Sequence, residues 1–458
     1  MQVPELEKEM GIEVYATQTQ GIGGRIREVL EDFIVEETLV DGSKASASET
    51  EKNLGSRALG ASSRKSRYLL CVLVKRNWDT LIAVRRVARE LGLSTGEVQF
   101  AGIKDAKAVT AQYLTVENAT PEDLQKVKVK DIEVRSVGYV PNRLSAYYLL
   151  ANNFHITVRN SEHPEATVRK VAAETVEELD EAGGIPNFFG HQRFGTIRAI
   201  THRVGKFIIK SDLREAAMTF LAEPSANEHP SSRQARKQLQ DTQDFKQALR
   251  DYPKQLRYER AMLARLAEKP EDYTGAFRRL PKKLRELFVQ AFQSYLFNRF
   301  LSKRIEQGVP LNKTDVGDYA VNVERSGLPL ITMYRIVSET VKAEVNSKIK
   351  AARMRLAIPL IGFKQRPMLG RQGIIEKQIL EEEGVTAEDF KVTALSEVAE
   401  EGRLRTATTP INEFSLEASA CEKVKSIAEV AFVLYRGSYA TVLLREIMKP
   451  VDIINQGF

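Results

Sequence analysis

AGIKDAKAVTAQYLTV, residues 101–116, sets an acid between two lysines, just past a glycine and just before a run that predicts a strand. Two readings of Asp105 are open: a solvated turn residue, or a carboxylate kept ionised by its surroundings and able to act as a nucleophile. In an extended segment Lys107 would share the face of Asp105 while Lys104 pointed to the other, so adjacency alone does not identify an ion partner. Upstream, YLLCVLV at 68–74 predicts a strand and Asp79 a helix cap. TLIAVRRVARELGL then predicts a helix with Leu81, Val84, Ala88 and Leu91 on one face, stopped by Gly92. Asp105 thus follows a strand-helix unit.

Further out, DFIVEETL from Asp32 reads as another strand, and residues 41–67, rich in Ser, Ala, Gly and charge, as a flexible loop. Gly55, Gly60 and Ser62 imitate a phosphate-binding loop, but Ala61 stands where its lysine would be required; GIGG at Gly21 likewise lacks a dinucleotide fingerprint. EVRSVGYV and FHITVRN predict two more strands, the second alternating Phe154, Ile156 and Val158 with His155, Thr157 and Arg159. Ala166 to Ala182 forms an amphipathic helix that Gly183 and Gly184 end. From about Gly184 to Glu400 the chain reads as mostly helical and heavily charged. Within it, Leu284, Leu287, Phe288, Ala291, Phe292, Tyr295 and Leu296 make one apolar helical stripe suited to a core, whereas Gln293, Ser294 and Asn298 have no such assignment. VAFVLYRGSYATVLLREIMK alternates as a strand to Leu434, turns at Arg436 and Gly437, and continues as a helix capped by Ser438. The simplest architecture is α+β: a mixed-sheet domain built from both ends of the chain, with helices on one face and a helical insert between.

A chain of 458 residues exceeds what one core usually supports, so at least two domains are expected. With 43% hydrophobic and 28% charged residues a real core is available, and a formal charge of +7 favours a polyanionic partner. Two cysteines cannot form a disulfide framework, and Cys71 lies within an apolar run, which fits a reducing cytoplasm. The N-terminal stretch is acidic and no run of about 18 apolar residues occurs, so a soluble, intracellular protein without a membrane anchor is expected. The five histidines, His155, His163, His191, His202 and His229, show no metal-ligand spacing; no GxSxG elbow is present, and neither cysteine has an activating neighbourhood. Carboxylate chemistry remains.

EDFIVEE, AGIKDAKAVTAQ, ANNFHITV, NFFGHQRFG and GSYATVLLRE, in this order over nearly the whole chain, resemble the TruD family of pseudouridine synthases, which isomerise uridine in RNA. The resemblance implies a pseudouridine-synthase-like mixed or antiparallel sheet domain from residues 1–185 and 400–458. It also implies an inserted, mostly helical α/β RNA-binding domain from 186–399. By the same resemblance Asp105 is the catalytic aspartate and Lys104 the basic residue before it, while Asn152 and Phe154 form the family's Asn-x-Phe pair. An amide can hydrogen-bond the carboxylate or the uracil edge, and an aromatic face can stack on a base, although Phe154 could equally fill the core. Arg27 is the candidate cation for Asp105, with a surface arginine as its alternative. Glu37 corresponds to the terminal acid of the family's PEDFxVxE motif, in which Leu30 here replaces the proline. Asn187, Phe189, Gln192 and Arg193 are RNA-binding candidates, or else a packed domain entry. Arg445 joins them on a helix whose N-terminus could offer amides to a phosphate, or simply pack as core. The implied substrate is transfer RNA at uridine 13 of the D arm, with no cofactor and no small-molecule partner; the oligomeric state is not readable from the sequence, a monomer being the default expectation. Two competing readings are a non-catalytic RNA-binding protein and a nucleoside or glycoside hydrolase pairing Asp105 with Glu36 or Glu37.

Overall fold

The apolar run at 68–74 lacks alternation because its strand is covered on both faces. In the computed structural model, which describes residues 2–48, 58–195, 197–421 and 425–458, β1 is Phe33–Leu39, β2 Tyr68–Arg76, β3 Val98–Phe100 and β4 Val109–Glu117. β5 is Ile132–Val140 and β6 Leu149–Ser161; near the end of the chain β7, Asn412–Ala420, and β8, Ser426–Tyr435, join the same sheet. Its order is β7-β8-β6-β1-β4-β2-β5, with β3 also on β4; β1 and β4 run parallel and every other pairing is antiparallel. Leu69, Cys71 and Leu73 of β2 pack under helix α1, Thr80–Glu90, while Leu70, Val72 and Val74 pack on the other face with Ala45, Ala58 and Leu144. A strand buried on both sides reads as a continuous hydrophobic run.

Asp79 caps α1 by accepting from the Ile82 amide at 3.0 Å. The inward face of α1 is Ala83, Val84, Val87 and Ala88; Leu81, expected on it, is exposed because Ala83 and Val87 occupy the turn that meets the sheet. Helix α2, Glu165–Glu181, packs on β7 and β8, and its C-terminus is closed by the Gly183 and Gly184 amides on Asp180 and Leu179 carbonyls. Helix α3, Ala440–Met448, begins after Tyr439 and has no side-chain cap: Ser438, expected there, bonds Thr409 Oγ1 instead. Of the expected loop at 41–67, residues 49–57, including Gly55, lie outside the described residues. Ala45 and Ala58, near its two ends, are buried, and Ser62 bridges to Tyr139.

These elements make one compact unit, Thr17–Ile185 with Arg325–Leu328 and Thr409–Phe458; the other unit is Met1–Ala16, Pro186–Glu324 and Pro329–Thr408. Residues 2–16 and 400–408, expected with the sheet domain, therefore lie with the second unit. The reason is local pairing: strand Arg403–Thr406 hydrogen-bonds strand Met354–Leu360, and Asn298 donates to the Met10 carbonyl. The second unit is helical apart from a four-stranded antiparallel sheet ordered Arg403–Thr406, Met354–Leu360, Tyr319–Val323, Pro329–Ile336. Its longest helix, Lys282–Glu306, buries Phe288, Ala291, Phe292 and Leu296 as the stripe predicts, while Leu284, Leu287 and Tyr295 are only partly buried. Gln293 and Asn298 are interior hydrogen-bonding groups that tie this helix to the Ile361, Phe189 and Met10 backbone, while buried Ser294 donates to the Gln290 carbonyl one turn earlier in the same helix. The overall class is α+β, as expected.

Candidate active site

One face of the larger sheet carries a polar row. Register places Asn152 of β6 against Glu37 of β1, Phe154 against Val35, Val35 against Thr110 of β4, and Thr110 against Lys75 of β2. The segment 101–107 is an irregular loop, not the extended stretch considered above, and buried side chains pin it. Thr80 exchanges hydrogen bonds with the Lys104 backbone, Gln112 Nε2 donates to the Gly102 carbonyl at 3.0 Å, and Lys75 Nζ donates to the Asp105 carbonyl at 2.7 Å.

Lys104 and Asp105 point in opposite directions from this loop. The Lys104 ammonium lies 2.7 Å from Glu37 Oε1 and 2.8 Å from Asn152 Oδ1, and both ionic partners are sealed, at 3% and 0% side-chain exposure. Glu37 Oε2 also accepts the Tyr113 amide at 2.8 Å. Because an ammonium can only donate, the Asn152 amide is oriented: its oxygen faces Lys104, and its NH2 group has no hydrogen-bond partner among the described residues. Asp105 keeps 30% of its side chain exposed and lies 3.3 Å from Arg27 Nη2, whose side chain is 7% exposed. Lys107 is exposed.

Arg27 is held on three sides. Its Nη1 donates to the Gly457 carbonyl at 2.7 Å, its guanidinium lies 3.9 Å above the Phe33 ring, and its backbone sits in the left-handed region at φ 60°. Burial pushes the Arg27 pKa down and Asp105 opposes that shift. Gly457, at φ +87°, has no room for a side chain, since a Cβ would lie 2.0 Å from the Ile26 carbonyl oxygen. Phe154 is buried, stacked at 5.3 Å on Phe432 and edge-on to Phe33, so it supports the ring beneath Arg27 and is not an open stacking platform.

The remaining sequence candidates have other surroundings. Arg445 is fully buried and ion-paired with Glu446, which removes it from an RNA-facing set. In the second unit Asn187 is buried against Thr406 and Arg405, Phe189 is buried beneath the Arg405 guanidinium at 4.1 Å, and Arg193 bonds Ser294 and Gln290; Gln192 is exposed. The acids of the hydrolase reading are engaged elsewhere: Glu37 by Lys104, and Glu36 by Lys44 and the Ala47 amide. Sequence reasoning missed Lys75, Phe33 and Gly457. Only Lys75 left a trace, as the charge that ends an apolar run.

The family model described as tRNA pseudouridine synthase D (TruD) matches residues 9–447. A probable tRNA pseudouridine synthase D from Methanosarcina mazei is 37% identical over 98% of both chains, and one from Pyrococcus abyssi is 38% identical over 95% of this chain and 98% of its own. The crystal structure of a TruD protein from Methanosarcina mazei superposes with a TM-score of 0.82 at 36% identity, covering 98% of this chain and 99% of that one. Fold and matches together define an enzyme of the pseudouridine synthase class. The chain belongs to the TruD family.

Proposed function

We propose that this protein converts uridine to pseudouridine at position 13 in the D arm of transfer RNA, with Asp105 as the nucleophile. The observation that carries the reading is the pairing of a partly open carboxylate with a guanidinium that is itself almost sealed from water. A nearby cation in a low-dielectric setting keeps a carboxylate ionised without a water shell, which is the state a nucleophile requires. The target nucleotide is extruded from its stack, and the Asp105 oxygen bonds either the ribose C1′ or the ring C6. The C1′–N1 bond breaks, the base turns until C5 faces C1′, and a carbon–carbon bond forms there. Loss of the C5 proton to solvent, gain of a proton at N1 and release of the carboxylate complete the isomerisation. Product and substrate have the same composition, so no oxidant, reductant or co-substrate enters the balance. The free NH2 of Asn152, fixed by Lys104, is a donor suited to a uracil carbonyl oxygen.

Incubation with unmodified transfer RNA transcripts, followed by nucleoside analysis and site mapping, tests the assignment. Pseudouridine at position 13 in RNA of unchanged mass is expected. Free uracil would instead indicate a hydrolase, and bound but unmodified RNA a binding protein.

A further inference from the structure

Lys75 is an ammonium with no part in the mechanism above. It is fully buried on β2, on the face where Leu69, Cys71 and Leu73 form core beneath α1, and among the described residues its ammonium hydrogen-bonds only the main-chain carbonyl of Asp105, at 2.7 Å. Opposite it stand Thr110 on β4 and Ile132 on β5, neither of which titrates. The charged groups that act on it are Asp105 and Lys104 from the loop and Asp79 from the N-terminus of α1. A carbonyl alone does not call for a buried cation, because an uncharged donor would satisfy it without the desolvation cost of an ammonium.

The structure assigns Lys75 as a positioning residue for the nucleophile: its amine fixes the Asp105 backbone through that hydrogen bond and, when protonated, adds a second sheltered positive charge beside the carboxylate. This inference rests on the reading of Asp105 as the nucleophile. A loop held at one carbonyl directs the side chain of that residue, and a misplacement of about 1 Å costs on the order of a hundredfold in rate. The same charge is available only over part of the pH range, since burial pushes Lys75 down to about 8, with Asp105 and Asp79 opposing and Lys104 adding to the shift.

The experiment measures single-turnover pseudouridine formation on saturating transfer RNA transcript from pH 6 to 9.5. It compares wild type, Lys75→Met, Lys75→Arg and Asp105→Asn, with RNA affinity and melting temperature recorded for each. Wild type is expected to lose rate above pH 7 with a midpoint near 8. Lys75→Met is expected to be about ten- to a hundredfold slower at pH 7 and flat above it, with RNA affinity within about twofold. Its melting temperature should equal or exceed that of wild type, because an ammonium buried at a cost is gone. Lys75→Arg, charged throughout, should lack the alkaline fall. A purely structural lysine would give the opposite pattern, with stability and rate falling together. That result, a wild-type rate in Lys75→Met, or an alkaline fall of unchanged midpoint in that variant, overturns the inference. Should Lys75→Met fail to fold, a wild-type profile that is flat to pH 9 overturns it, and a midpoint near 8 that Lys75→Arg abolishes supports it. If Asp105→Asn stays active, the nucleophile reading itself falls; if Asp105→Asn is inactive and Lys75→Met is wild-type-like, only the role of Lys75 falls.

Discussion

Replacing Lys104 by Met tests whether the lysine next to Asp105 works by holding the floor of the candidate site together. The substitution nearly preserves length and removes one charge. It leaves Glu37, with a fully sealed side chain, holding the hydrogen bond from the Tyr113 amide but without its 2.7 Å ion pair. Breaking a buried pair by deleting one partner costs about 3–5 kcal/mol, since the orphaned charge stays desolvated. For a unit of this size that corresponds to a fall of roughly 10 °C in its melting temperature. Adding Glu37→Gln removes the orphaned charge and should restore most of the loss, giving a coupling energy of about 2–3 kcal/mol in the double-mutant cycle. Denaturant titration followed by Trp78 reports the right unit, because it is the chain's only tryptophan and its Nε1 donates to the Lys130 carbonyl beside β5. A Lys104→Met variant within about 1 kcal/mol of wild type, or a double variant that merely adds the two single losses, would refute the reasoning.

Arg27→Ala removes the cation from Asp105 and should lower the single-turnover rate by about a hundred- to a thousandfold, with Arg27→Lys recovering part of it and RNA affinity little changed in both. Gly457→Ala forces a Cβ against the Ile26 carbonyl and displaces the acceptor of Arg27 Nη1; a rate loss of about tenfold or more with RNA affinity unchanged is expected, read in the same assay. In the second unit, burial above all, with Arg203 adding, pushes His202 down to about 4, so the folded protein holds this ring neutral where the unfolded chain protonates it. Stability present above pH 6.5 is therefore lost as pH falls toward 4, by up to roughly 3 kcal/mol, and thermal melts across that window should show a smaller acid-side loss in His202→Phe.

The strands and helices around Asp105 were legible because their burial is periodic: β6 alternates, and α1 carries a cap and a stopping glycine. The two faces of β2 hid its register, since a doubly buried strand has no period to read. The four-stranded sheet of the second unit escaped for a different reason: its edge strand Pro329–Ile336 is exposed over most of its length, and no buried face patterns the sequence. Asp105, Lys104, Asn152 and Arg27 were named from motif resemblance, yet their geometry was not readable. Lys104 and Asp105 diverge because the loop is irregular, and an alternation rule applies only to extended chain. Arg27 meets Asp105 through Phe33 and Gly457, and a contact spanning 430 residues to a backbone carbonyl leaves no sequence signature. Phe154 and Arg445 carry the opposite lesson, because an aromatic or a cation within a motif is as often part of the support as of the surface.

The most direct measurement is the single-turnover rate of Asp105→Asn on transfer RNA at full occupancy, beside its dissociation constant for the same RNA. Asparagine keeps the shape and the loop but cannot offer an anionic oxygen to carbon. The account predicts that pseudouridine at position 13 falls below detection, at least about ten-thousandfold, while RNA affinity stays within a few-fold. A variant that still forms pseudouridine within tenfold of the wild-type rate would contradict it.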